Sequence, residues 1–216
     1  MTQRPGEWPV SAPPRARREG LSATAALVGS VTFVGVLWLV EGLDTLLGNR
    51  LDAEGIEPMD PDGLSGILFA PLLHGGWAHL VANSVPLLVL GFLLLLSGIR
   101  RWLLVTAVVW AVAGLGTWLT GGPGTIHIGA SGLVFGWLVY LIVRGLFSRR
   151  PGQIALGLFV LVVYGGLLWG ALPGQAGVSW QGHLFGAVGG GLAAYWFASG
   201  DRRRAAAPAA HTLRRY

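Results

Sequence analysis

The 216-residue chain contains no cysteine and no lysine, and only 12% of its residues are charged. Without cysteine there can be no structural disulfide, no cysteine nucleophile and no thiolate metal site, and the redox compartment is left undetermined. No His-Glu-x-x-His segment occurs, and His74 and His79 stand five apart rather than four, so a zincin-type metal centre is excluded; the residues call for neither a metal nor any other cofactor. Nor is there a pair of intramembrane acids: the carboxylates lie in loops and tails or, as with Glu41, at the outer end of an apolar stretch. What is abundant is apolar surface. With 53% hydrophobic residues and a mean hydropathy of +0.60, the composition is that of an all-α polytopic membrane protein rather than a soluble domain.

The pI near 10.7 comes from arginines clustered beside apolar segments. With no basic groove or motif, they read as topology signals and lipid-headgroup contacts, not as a nucleic-acid surface. Residues 1–20 are rich in Pro and Arg and aperiodic, which predicts a flexible tail. Six apolar stretches follow, at 21–40, 78–97, 102–119, 128–147, 154–172 and 180–198. Each is close to the roughly 20 residues that cross a bilayer core of about 30 Å. The first is too long for a signal-peptide core and lacks a small-residue cleavage pattern, so it is retained as a helix. The expected organisation is a six-helix membrane domain over 21–199 between the N-terminal tail and a basic tail at 200–216. Its one long loop, 44–77, is acidic and large enough to hold structure of its own.

Fourteen of the fifteen arginines fall on one side of this arrangement, which the positive-inside rule makes cytoplasmic. Both termini are therefore expected inside, in the plasma membrane of a bacterium; arginine without lysine, with much Gly and Ala, suits a GC-rich bacterial genome. The second, fourth and sixth helices all enter from outside, so their first turns share a leaflet. The polar residues within or beside the spans gather there: His74, His79 and Asn83 at the second helix, Ser131 at the fourth, His183 at the sixth. Such groups are costly in lipid and suggest function.

Ser131 needs a base to become a nucleophile, and a histidine suits that role. Gly132 and Gly136 on the fourth helix, and Gly182, Gly186 and Gly190 on the sixth, form small-residue ridges that would let the two backbones approach. Gly129 would leave the approach to the serine open. A lone membrane serine or histidine is more often a packing or hydrogen-bonding group; shared depth and matching ridges favour a Ser131–His183 dyad, with no acid evident to orient the histidine. His79 and Asn83, spaced i, i+4, project from one helix face and can donate to an oxyanion with the backbone N–H of Ser131. Taken alone, that pair could equally bond each other or a loop carbonyl. His74, outside the span, reads as structural.

Three segments together resemble the rhomboid family of intramembrane serine proteases. His74-Gly-Gly-Trp-Ala-His79-Leu-Val-Ala-Asn83 resembles its His-x4-His-x3-Asn segment, Gly129-Ala-Ser131-Gly132 its Gly-x-Ser-Gly, and His183-x2-Gly186-x3-Gly190 its histidine helix. The resemblance spans about residues 21–200. It implies a rhomboid-like bundle with Ser131 as nucleophile, His183 as general base and then acid, and His79, Asn83 and the Ser131 N–H as oxyanion donors. Transmembrane segments of other proteins would be cut through an acyl-enzyme in a water-filled pocket. It also implies that Phe135 packs on the histidine where tyrosine is frequent, and that the fifth helix is a lateral gate. The short loop 172–179, with Pro173, Gly174 and Gly177, could cap the site. The chain departs from the pattern at Ser65-Gly66, where many relatives carry Trp-Arg, leaving the anchoring of the first loop and its effect on activity open. The rival readings are a non-catalytic rhomboid-like binder of membrane helices and, less favoured because no internal repeat is present, a small-solute transporter. Substrate and oligomeric state are not legible.

Overall fold

A computed structural model describes residues 20–206, with side chains to residue 200. The expected tails lie outside the described residues, apart from Gly20 and a helical backbone that continues through 200–206. Among the described residues there are seven α-helices: α1 (Ala23–Leu46), α2 (Gly66–Phe69), α3 (Trp77–Leu95), α4 (Ile99–Thr120), α5 (Ser131–Ser148), α6 (Pro151–Tyr164) and α7 (Trp180–Ala206). Five segments among the described residues are long and apolar enough to cross a membrane: α1, α3, α4, α5 and the combined stretch Pro151–Ala171. The sixth expected stretch forms α7, which is rich in glycine. The molecule is an all-helical, multi-pass membrane protein.

Local chemistry sets the helix limits. Ser22 caps α1 by accepting from the Ala25 N–H at 3.2 Å, and the helix ends where Gly48 and Asn49 take positive φ. It therefore runs six residues past the expected end at 40, which brings Glu41 and Asp44 into the helix as buried side chains. The expected fifth helix divides: α6 stops at Tyr164, and Gly165–Ala171 winds as 3₁₀ turns. Three glycines in seven residues, with their low helix propensity, account for the change of winding.

α5 lies at the centre and packs against α3, α4, α6 and α7, while α1 packs on α3. Leu80, Leu87, Val109, Leu133, Trp137 and Leu141 form the heart of the core. The α5/α7 contact is backbone against backbone. A Cβ on Gly186 would collide with the Gly132 carbonyl oxygen, and one on Gly190 with that of Gly136. Side chains at the edges of this seam are consequently within hydrogen-bonding reach.

The long loop holds 3₁₀ turns at Leu51–Glu54, Asp62–Leu64 and Ala70–Leu72 besides α2. Trp110 Nε1 donates to the Ile67 carbonyl at 2.7 Å, and Trp118 Nε1 to that of Asp60 at 2.8 Å. Ile56 pairs with His127 in a single antiparallel bridge. Gly66 itself sits where a Cβ would collide with the Gly55 carbonyl. These contacts anchor the loop around Ser65-Gly66.

Candidate active site

Ser131 is the first residue of α5, following Gly129 at φ +119° and Ala130. A Cβ on Gly129 would lie 2.6 Å from His79 Cε1, so the glycine is required twice, by its backbone and by the imidazole lying against it. Besides the open approach to the serine expected of it, Gly129 makes room for the His79 imidazole.

His183 Nε2 lies 2.8 Å from Ser131 Oγ, and its Nδ1 lies 2.8 Å from the Gly170 carbonyl oxygen. A carbonyl can only accept, so Nδ1 carries the proton and Nε2 is left as acceptor for the serine O–H. That is the tautomer a general base needs, and it is set by a backbone group of the 3₁₀ segment instead of a carboxylate. Phe135, one turn after Ser131, stacks on the imidazole with centroids 4.1 Å apart and planes 9° apart. The histidine is thus held at both nitrogens and on one face.

His79 and Asn83 follow on the first turns of α3. Both line one cavity with Ser131, Phe135, Gly170 and His183, a space of about 930 Å³ whose wall also includes Gln175 and Ser179. Asn83 is 6% exposed, and its Nδ2 is buried without a partner. Unpaired buried amides are rare, and this one belongs to the cavity lining. Pro86, one turn on, lines the same cavity and has no N–H for the Ala82 carbonyl.

His74, 1% exposed, accepts from the Ala130 N–H at 3.4 Å through Nε2 and packs edge-on to His79, centroids 5.1 Å apart. It thereby occupies one of the free N–H groups at the start of α5. Burial, reinforced by neighbouring His79, lowers its pKa to about 4.

A second polar pair lies beside the first, and residue types alone did not single it out. His127 Nδ1 is 2.7 Å from Ser179 Oγ, and its Nε2 is 2.9 Å from Thr125 Oγ1. Both residues line the 930 Å³ cavity and also a smaller one of about 40 Å³ that Ser131 lines as well. A signal was present: His127 precedes Ser131 by four residues, as Ser179 precedes His183.

The Rhomboid domain family model matches residues 61–200. Uncharacterised proteins of Mycobacterium tuberculosis and Mycobacterium leprae are 56% and 50% identical to the chain. The first match covers 80% of this chain and 75% of the relative, the second 86% and 78%. A Bacillus subtilis protein provisionally named a rhomboid protease is 28% identical over 87% of this chain and 98% of its own. The chain belongs to the rhomboid family.

Proposed function

We propose that the chain is an intramembrane serine endopeptidase that cuts transmembrane segments of other proteins with Ser131 and His183. The observation that carries this reading is the 2.8 Å contact between His183 Nε2 and Ser131 Oγ, made by a histidine whose Nδ1 proton is committed to Gly170. In the first half-reaction the Ser131 oxygen bonds to the peptide carbonyl carbon as its proton passes to His183 Nε2. The oxyanion is received by His79, Asn83 and the Ser131 N–H at the positive end of α5. Collapse breaks the C–N bond, and the amine leaves with the proton from His183. Water then repeats the sequence on the acyl-enzyme, giving its proton to His183 and releasing the acid and Ser131.

The six-crossing topology with both termini cytoplasmic belongs to this proposal, as does a bacterial plasma-membrane location; the arginine distribution supports them. The domain division at 21–199 is part of it too, as is the capping role of 172–179, which the exposure of residues 172–177 supports. So is lateral entry past α6.

The test is cleavage of a reconstituted transmembrane substrate together with fluorophosphonate labelling at Ser131. Wild type is expected to be active and labelled, with Ser131→Ala and His183→Ala folded but inactive. Activity retained in both variants overturns the mechanism. A folded wild type that is neither labelled nor active, yet binds membrane helices, would establish the non-catalytic reading.

A further inference from the structure

Two Ser–His hydrogen bonds join the same two stretches of chain, and in both the partners stand 52 residues apart: Ser131–His183 between α5 and α7 and, four residues earlier on each side, His127–Ser179 in the segments that lead into those helices. The residue types are exchanged between them. The segment bearing the nucleophile contributes a histidine to the outer pair, and the segment bearing the base contributes a serine. We propose that His127 is a positioning residue which, through Ser179, fixes the separation of Ser131 and His183; this rests on the dyad reading above.

The proton order of the outer pair follows from its ends. Thr125 Oγ1 donates to the Gly122 carbonyl at 2.5 Å, so it must accept from His127 Nε2–H, which leaves Nδ1 to accept from the Ser179 hydroxyl. Ser179 also precedes α7, where its Oγ accepts from the Gly182 N–H at 3.4 Å and its carbonyl from the His183 N–H at 3.1 Å. One hydroxyl therefore caps the helix that carries the base while its own proton is tied to the loop that carries the nucleophile. On the far side, the His127 backbone is fixed by the two hydrogen bonds exchanged with Ile56, at 2.9 and 3.0 Å. Capping α7 needs only the lone pairs of Ser179. Its O–H···Nδ1 bond does something else, joining the two segments one turn from the reacting atoms.

Ser179 donates to an imidazole nitrogen as Ser131 does, but its oxygen also accepts from the Gly182 N–H as the cap of α7, and the residue that labels distinguishes the two serines. The consequence falls on the dyad, where a hydrogen bond near 2.8 Å tolerates only a few tenths of an ångström before it weakens, and displacement of about 1 Å costs up to about a hundredfold in rate.

The test uses the purified full chain and a fluorophosphonate probe, following the maximal labelling rate, the probe's apparent affinity, the labelled residue and the melting temperature. His127→Ala and Ser179→Ala are each expected to lower the maximal rate about tenfold with affinity unchanged, and the double variant no further, since both remove one bond. His127→Asn places an amide oxygen where Nδ1 accepts and should restore most of the rate, whereas the longer His127→Gln should not. Ser179→Thr keeps the hydroxyl and should label like wild type, a check that holds even where an alanine variant fails to fold. Additive losses, equal behaviour of Asn and Gln, labelling of Ser179, or rates that merely track melting temperature overturn the clamp. Wild type labelled at Ser131 with every variant unchanged overturns the clamp alone; folded wild type that does not label at Ser131 overturns the dyad and the clamp with it.

Discussion

The Nδ1 of His183 lies 2.8 Å from the carbonyl oxygen of Gly170, a bond from α7 to the 3₁₀ segment after α6 that fixes the tautomer of the imidazole facing Ser131. A backbone acceptor takes the place an acid holds in a triad. Unlike a carboxylate, it brings no charge into the apolar surroundings, and it depends on Gly170 having no side chain.

A Cβ at position 170 would meet Phe135 Cζ at 3.1 Å and His183 Nδ1 at 3.3 Å. Gly170→Ala should therefore displace the stacked ring or the imidazole and lower kcat about tenfold, with Gly170→Val worse. Steady-state cleavage kinetics alongside melting curves check this. An alanine variant with wild-type kcat would show that the ring pair yields freely.

Asn83 lines the cavity and its amide nitrogen is buried without a partner, so under the proposed function its removal should cost activity rather than stability. Asn83→Ala is expected to lower kcat about a hundredfold, the usual loss of one oxyanion donor at ~3 kcal/mol. Its melting temperature should stay within a few degrees of wild type. If Asn83 served only the fold, the melting temperature would fall and kcat would hold.

The seam between α5 and α7 gives a stability prediction. Gly186→Ala and Gly190→Ala drive a methyl into the carbonyls of Gly132 and Gly136 and should destabilise by about 1–3 kcal/mol. Gly191 has open space around its Cβ direction, and Gly191→Ala should be neutral or slightly stabilising. Denaturant or thermal unfolding in detergent micelles distinguishes the three.

His74 gives a pH prediction. In the unfolded chain its imidazole takes a proton near pH 6.5, but in the folded chain only near 4. Between those values the unfolded state holds more protons, so stability falls as pH drops below about 6.5, and this contribution is exhausted below about 4. His74→Gln should make the fall of melting temperature with pH over that window shallower. A profile unchanged by the substitution would assign the pH dependence elsewhere.

Much of this architecture was written in periodicity and composition. Apolar length marks the stretches that form the long helices, arginine placement suggests a parity under which the first turns of α3, α5 and α7 share a leaflet, and glycine spacing indicates which helices meet. Each is a local property, readable without knowing neighbours. Other features depended on segments distant in sequence. The change to 3₁₀ winding at Gly165 matters because Gly170 ends up against His183, and no pattern within 154–172 indicates that partner. The contact of Gly129 with His79, the acceptor role of His74 and the Ser179 proton held by His127 are of the same kind. A chain can state which residues are polar, small or helical, but the partner of a hydrogen bond is chosen only when packing brings two segments within about 3 Å. Composition and periodicity specify a membrane bundle carrying a serine and a histidine on two glycine-ridged helices; which nitrogen faces the serine is set only in the tertiary structure, because it depends on the Gly170 carbonyl delivered by a separate segment.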